Sequence, residues 1–201
     1  MCLIIKFNMQ FNKLSDFELV KLLRTEKKSA EGAFTELYHR YSPMVNAYCL
    51  KIVGNQQQSD DIFQDTFIKF YQNVKEDFPQ TNVPGFLIKI ARNLCLNLKR
   101  DRKNNVPIEE LEYLGVNDYN YENKELLELI TMALDLLDFE YSEAFILREY
   151  DGLQYDEIAE ITNTSVSNAK SRVFRAKQKI RDLLEPYLKD LNKNLNTKLK
   201  R

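Results

Sequence analysis

The sequence predicts an all-α protein: two small helical domains joined by a flexible linker. Three observations predict it. Apolar residues recur at three- and four-residue spacing along most of the chain, with no stretch of strand-like alternation and no internal repeat. Glycine and proline are few, five of each among 201 residues. The periodicity lapses over one long polar run, 104–120, which contains Pro107 and Gly115. The expected divisions are an N-terminal extension at 1–14, a first domain at 15–103, the linker at 104–120, a second domain at 121–188 and a basic tail at 189–201.

Each element has a local signal. Ser15-x-x-Glu18 is a capping box at the head of Phe17, Leu19, Val20, Leu22 and Leu23. A second helix runs from about Ser29 through Tyr41, and Ser42-Pro43 is expected to restart it with Ser42 as cap. It continues through Val45, Tyr48, Cys49 and Ile52 to a stop at Gly54. Ser59 is expected to cap the third helix, whose core residues are Ile62, Phe63, Phe67, Phe70 and Tyr71. Pro79 and Pro84 bracket a loop, after which a helix from Pro84 to Lys103 buries Leu87, Ile90, Ala91, Leu94 and Leu98. A short amphipathic turn is expected near Ile108 to Leu114. Beyond the linker, Leu126, Leu129, Ile130, Ala133 and Leu137 restore the helical period, and Ser142 to Tyr150 makes another helix, ended by Asp151-Gly152. The tail from Asn192 to Arg201 is expected to fray.

Composition excludes several classes. A hydrophobic fraction of 44% supports a core, and 29% charged residues favour a water-soluble chain. Net charge is only -1, yet the charge is segregated: bases gather at 89–103 and 170–201, acids at 60–65 and 109–160. Phosphate binding needs a local patch, not a net total. Cys2, Cys49 and Cys95 form no C-x-x-C pair, and with His39 the only histidine there is no zinc set; no metal or other cofactor is expected. The apolar segment MCLIIKF is too short for a signal peptide and no run is long enough to span a bilayer, so a cytoplasmic location without membrane insertion is expected. Met9 stands just ahead of the Ser15 capping box, so translation is expected to start there or the first eight residues to be dispensable.

The most informative stretch is Glu157 to Arg181. Ile158, Ala159 and Ile161 line a short first helix. Thr162-Asn163-Thr164 breaks it, and Asn163 stands where a positive φ is wanted, which Asn tolerates better than most residues. Ser165 is a suitable N-cap for a second helix that turns Val166, Ala169, Val173, Ala176 and Ile180 to the core. Lys170, Arg172, Arg175, Lys177, Lys179 and Arg181 fall mostly on its other faces. That is a helix-turn-helix whose second helix suits the DNA major groove. A basic run is usually only a solvated face; here it follows a tight turn and a small-residue first helix.

The first domain has its own constellation. The helix from Phe86 to Lys103 has a polar face of Lys89, Arg92, Asn93, Asn97, Lys99, Arg100, Arg102 and Lys103, which offers a cationic track and groups for exposed base edges. The helix before it carries Asp60, Asp61, Gln64 and Asp65, a patch that repels DNA and suits a basic protein surface.

Three segments then resemble one family. Asp61 to Tyr71 resembles the polymerase-binding helix of bacterial sigma factors, Phe86 to Asn93 their promoter-melting helix, and Lys170 to Lys177 their promoter-reading helix. Order and spacing are similar to the extracytoplasmic-function (ECF) subfamily, which keeps only sigma regions two and four, over roughly Ala30 to Leu184. The resemblance departs at Phe86, where Trp is usual, at Thr162-Asn163, where Leu-Gly is usual, and at Gln154, where Ser or Thr often caps.

The resemblance implies a non-enzymatic partner of core RNA polymerase that directs it to promoters, often held in check by an anti-sigma factor. It implies that Asp61, Gln64 and Asp65 meet the polymerase. Arg92, Asn93 and Asn97 would act at the minus-ten element, with Lys89, Lys99, Arg100 and Arg102 on phosphates. Lys170, Ser171, Phe174 and Arg175 would meet the minus-thirty-five element, with Arg172 and Lys177 on phosphate or on the domain core. A linker at 104–120 spans roughly 50–60 Å when extended, enough to set two domains on separated promoter elements. The rival readings are a helix-turn-helix regulator acting without polymerase and a helical adaptor with no DNA role; neither accounts for the acidic and basic faces of the first domain together.

Overall fold

The computed structural model describes residues 11–76, 82–105 and 121–198. The chain divides into two compact units, Met1–Leu114 and Gly115–Arg201. The expectations for Met1 to Asn8, for Pro79 and for the amphipathic turn at Ile108 to Leu114 lie outside the described residues, as does all of the linker beyond Asn105.

In the first unit, α1 (Asp16–Leu23), α2 (Lys27–Val53), α3 (Gln56–Glu76) and α4 (Val83–Asn105) pack around one core. The Ser15 capping box forms in full: the Ser15 N–H donates to Glu18 at 2.7 Å and the Glu18 N–H to the Ser15 hydroxyl at 3.4 Å. Leu19, Leu23, Leu37, Tyr48, Phe70, Leu87 and Ile88 are fully buried, each worth roughly 1.5–3 kcal/mol for the large apolar side chains. Cys49 and Cys95 are buried free thiols. Arg40 joins the chain before α1 to α2. Its guanidinium bonds Asp16 at 3.0 Å, Glu36 at 2.8 Å and the Leu14 carbonyl at 2.8 Å. Tyr41 donates to the other Asp16 oxygen, and burial, reinforced by that carboxylate, pushes its phenol well above the usual range, so it stays a donor.

Two helix boundaries differ from expectation. Pro43 lies inside α2, with no restart there. The side chain of Ser42 donates back to the Tyr38 carbonyl instead of capping, and burial of Val45, Tyr48 and Cys49 on the same helix outweighs the backbone bond that proline lacks. The third helix begins at Gln56, and Asn55, not Ser59, caps it by accepting the Gln58 N–H at 3.0 Å. Ser59 is buried in its first turn. Gly54 ends α2 as expected, at φ 70°. At α4, Asn82 accepts the Gly85 N–H at 2.9 Å, and Leu94 and Leu98 are half-buried.

The second unit contains α5 (Tyr121–Asp135), α6 (Phe139–Phe145) continued by one π-turn segment (Ile146–Tyr150), α7 (Tyr155–Thr162) and α8 (Val166–Lys198). The π segment shows in the Asp151 N–H, which reaches back to the Ile146 carbonyl at 3.1 Å, and Gly152 at φ 70° turns the chain out of it. Ala133, Leu134, Leu137, Ala144, Ile146, Leu147, Ile158, Ile161, Ala169, Val173, Ala176 and Ile180 form the core. Leu129 and Ile130 are half-buried, and the Leu126 side chain lies outside the described residues. Val166, expected in the core, is 41% exposed as the first residue of α8. The helix continues to Lys198, into the stretch read from composition as a tail.

Candidate functional site

The acidic face belongs to α3. Ile62, Phe67, Phe70 and Val74 turn inward, so the helical period turns Asp61, Gln64 and Asp65 out together at i, i+3 and i+4. All three are exposed. Asp60, the residue just before Asp61, accepts the Gln56 side-chain amide at 2.8 Å.

The basic face of the first unit belongs to α4. Leu87, Ile88, Ile90, Ala91 and Cys95 are buried. Lys89, Asn93, Asn97 and Arg100 therefore form one outward stripe, with Asn93, Asn97 and Arg100 exposed and Lys89 half-buried. Arg92 and Lys99, both half-buried, flank it. Arg100 donates to the Asn97 carbonyl at 2.7 Å, which fixes the amide's orientation. Arg102 is within α4, but its side chain lies outside the described residues. Phe86, in the place of the resemblance's usual Trp, is half-buried with its ring 6.2 Å from that of Phe70.

In the second unit the turn forms as its sequence requires. Asn163 has φ 52° and ψ 55° and is the one non-glycine residue with positive φ among the described residues. Its left-handed backbone lets the Thr164 N–H return to the Ala159 carbonyl at 2.9 Å, closing α7. Ser165 caps α8 by accepting the Asn168 N–H at 3.1 Å. At the head of α7, the Glu157 carboxylate accepts the Gln154 N–H at 2.6 Å, so the cap survives without a Ser or Thr.

The predicted residues of α8 fall into two groups. Lys170, Phe174 and Arg175 are exposed and Ser171 half-buried on the outward side; Phe174 is 70% exposed, unusual for a large apolar side chain. The Lys170 ammonium lies 5.7 Å from the centre of the Tyr155 ring, and Arg175 donates to the Tyr141 hydroxyl at 3.4 Å. Arg172, Lys177 and Lys179 instead meet acids of α6 and its flanks. Arg172 pairs with Glu140 at 2.6 Å, Lys177 with Glu149 at 2.8 Å and Lys179 with Asp138 at 3.2 Å. Sequence reasoning missed these three acids. The only signal was the acidic block at 109–160, which says nothing about which base each acid meets.

Two family models match the chain, one described as "Sigma-70 region 2" over residues 37–105 and one as "Sigma-70, region 4" over residues 127–180. The chain is 31% identical to the ECF RNA polymerase sigma factor EcfG of Rhodopseudomonas palustris over 71% of its own length and 80% of that protein's. It is 29% identical to the ECF RNA polymerase sigma factor SigE of Mycolicibacterium smegmatis over 80% of its own length, but spans only 65% of that relative. It is 28% identical to SigM of Bacillus subtilis, over 74% of this chain and 93% of the relative. Among solved structures, the sigma factor RpoE in complex with the anti-sigma factor NepR, from Bartonella quintana, shares the fold at TM-score 0.65 and 23% identity, covering 76% of this chain and 96% of that one. CnrH in complex with the cytosolic domain of CnrY does so at TM-score 0.64 and 19% identity, covering 86% and 97%.

Proposed function

The chain belongs to the ECF subfamily of sigma-70 RNA polymerase sigma factors, and we propose how its two units divide the work of promoter recognition and transcription initiation. On this reading α3 presents Asp61, Gln64 and Asp65 to a basic surface of core RNA polymerase. The α4 stripe takes the minus-ten element. Asn93 and Asn97 offer both donor and acceptor to unstacked bases, with Arg92 beside them, while Lys89, Lys99, Arg100 and Arg102 hold phosphates. The outward side of α8, Lys170, Ser171, Phe174 and Arg175, reads the minus-thirty-five element. Arg172 and Lys177 act chiefly within their own unit. Catalysis of RNA synthesis rests with the polymerase, and action on the chromosome places the protein in the cytoplasm. Among the described residues no helix is long and apolar enough to cross a membrane. An anti-sigma protein is the further partner this reading proposes.

The observation that carries the assignment of roles is that an exposed acidic face on α3 is followed at once by an exposed basic and amide-bearing face on α4. A regulator that binds DNA alone has use for the second face and none for the first. The test is to mix the full chain with core polymerase, follow co-elution, and map start sites of transcription in vitro on genomic DNA. Co-elution with new, discrete start sites supports the reading. DNA binding by the chain without co-elution would replace it with the polymerase-independent regulator.

A further inference from the structure

The cations of α8 are placed by its helical period. At about 100° per residue, Arg175 and Arg181 lie farthest from the buried seam of Ala169, Val173, Ala176 and Ile180, and both are exposed. Arg172 and Lys179 flank the seam on one side, Lys170 and Lys177 on the other. Three of these flanking cations meet carboxylates: Arg172 meets Glu140 at 2.6 Å, Lys179 meets Asp138 at 3.2 Å and Lys177 meets Glu149 at 2.8 Å, whereas the Lys170 ammonium lies 5.7 Å from the centre of the Tyr155 ring. Asp138 occupies the N-cap position of α6 yet makes no side-chain capping bond; its carboxylate goes to Lys179 instead. The Arg172 side chain is 18% exposed, so its pairing is the best shielded from solvent.

We propose that Asp138, Glu140 and Glu149 restrain the sequence-independent affinity of α8 for DNA, each holding one flanking cation away from DNA phosphate. This rests on the reading of α8 as the promoter-reading helix. Phosphate attraction is independent of sequence, and each neutralised phosphate adds about 0.9 to the dependence of log affinity on log salt. A helix with all its cations free gains affinity for every duplex alike. With three cations committed internally, a larger share of binding comes from Ser171, Phe174 and Arg175 at base edges. Random genomic duplex competes with each promoter in vast excess, so a lower sequence-independent affinity shortens the time the protein is held there. The acids act through the cations they hold, as positioning residues.

The experiment uses the full chain with Asp138→Asn, Glu140→Gln and Glu149→Gln, singly and together. Binding to a random-sequence duplex is measured by fluorescence anisotropy over a salt series, alongside a duplex carrying the minus-thirty-five sequence that wild-type protein selects from a library. The combined variant is expected to steepen the salt slope on random duplex by about one to 2.7 units. Affinity is expected to rise by a similar factor on the random and the selected duplex, so that the ratio of selected to random affinity stays within about twofold of the wild-type value. Glu149→Gln alone, at a half-exposed pair, is expected to steepen the slope without loss of folding, and adding Lys177→Gln should return it to the wild-type value. Unchanged slopes, with or without a lowered unfolding midpoint, would overturn the proposal and leave the acids as staples between α6 and α8. The random-duplex arm needs no polymerase, so a failure to form holoenzyme counts against the proposed function and leaves this result legible.

Discussion

Phe11 rests on the bare backbone of Gly32: a Cβ added at Gly32 would stand 2.3 Å from the Phe11 ring. The ring is 8% exposed, and Arg40 holds the following backbone through the Leu14 carbonyl at 2.8 Å. Alanine is intrinsically better than glycine in a helix by about 1 kcal/mol. Here it must eject an aromatic ring whose burial is worth roughly 1.5–3 kcal/mol. Gly32→Ala is therefore expected to destabilise the first unit by about 1–2 kcal/mol, read from urea unfolding. In a Phe11→Ala background the same change should become neutral or stabilising. Removing residues 1–8 spares Phe11 and is expected to leave the urea midpoint in place.

The turn at Asn163 gives a second stability prediction. A left-handed backbone costs an ordinary L-residue about 1–2 kcal/mol, and a β-branched residue sits there worst. Asn163→Val is expected to destabilise the second unit by at least that amount and to weaken binding to minus-thirty-five DNA, since α8 is aimed by this turn. Asn163→Gly should hold or slightly raise the unfolding midpoint. Equal behaviour of the two variants would show that the φ of 52° is not what the turn depends on.

That turn was legible in the sequence because its cause is local: one residue type suits one backbone conformation. The Ser15 capping box and the Gly54 stop were legible for the same reason. The start of α3 was misread because Asn55 and Ser59 are both good caps, and only packing decides that Ser59 is buried. Pro43 was misread because tertiary burial of Val45, Tyr48 and Cys49 keeps α2 continuous through a residue that locally argues for a break. Of the candidate site, the outward faces of α3, α4 and α8 follow from the helical period alone. The ion pairs of Arg172, Lys177 and Lys179 do not, because their partners lie 28 to 41 positions away in sequence, across a helix contact that no local pattern encodes.

Asp61 and Asp65 make a clean test of polymerase docking because they are exposed on a helix whose opposite side is buried. Reversing surface charges there should change folding stability by less than about 0.5 kcal/mol. Asp61→Arg with Asp65→Arg is expected to abolish co-elution with core polymerase while the circular dichroism spectrum stays as in the wild type. Retained co-elution would remove α3 from the interface.

Asn93 is exposed in the outward stripe of α4, beside an Asn97 whose carbonyl is already engaged by Arg100. Of the two amides, Asn93 is the better placed to take an unstacked base with both donor and acceptor. Asn93→Ala is expected to lower transcription from a duplex promoter and to relax preference at one minus-ten position. On a template with that base already mispaired, part of the opening cost is removed and the defect should shrink. An equal defect on both templates would argue against base capture.

Arg175 and Lys170 share the outward side of α8 but differ in what their side chains can do. Arg175 carries a planar fork that can make a bidentate contact with guanine, worth roughly 1–3 kcal/mol of discrimination. Its present bond to the Tyr141 hydroxyl, at 3.4 Å, is long enough to yield readily to a base. Lys170 carries a point charge, parked near the Tyr155 ring, and its expected contribution is phosphate attraction worth about one unit of salt slope. Arg175→Ala is thus expected to change the ranking of minus-thirty-five sequences, whereas Lys170→Ala should weaken all of them alike and flatten the salt dependence. The measurement is holoenzyme binding to a library of minus-thirty-five variants at two salt concentrations. Tyr141→Phe provides the control: if Arg175 leaves the phenol to read DNA, loss of the hydroxyl should leave the ranking unchanged. A uniform loss with Arg175→Ala, carried wholly by the salt slope, would make Arg175 a phosphate contact and move base reading to Ser171 and Phe174.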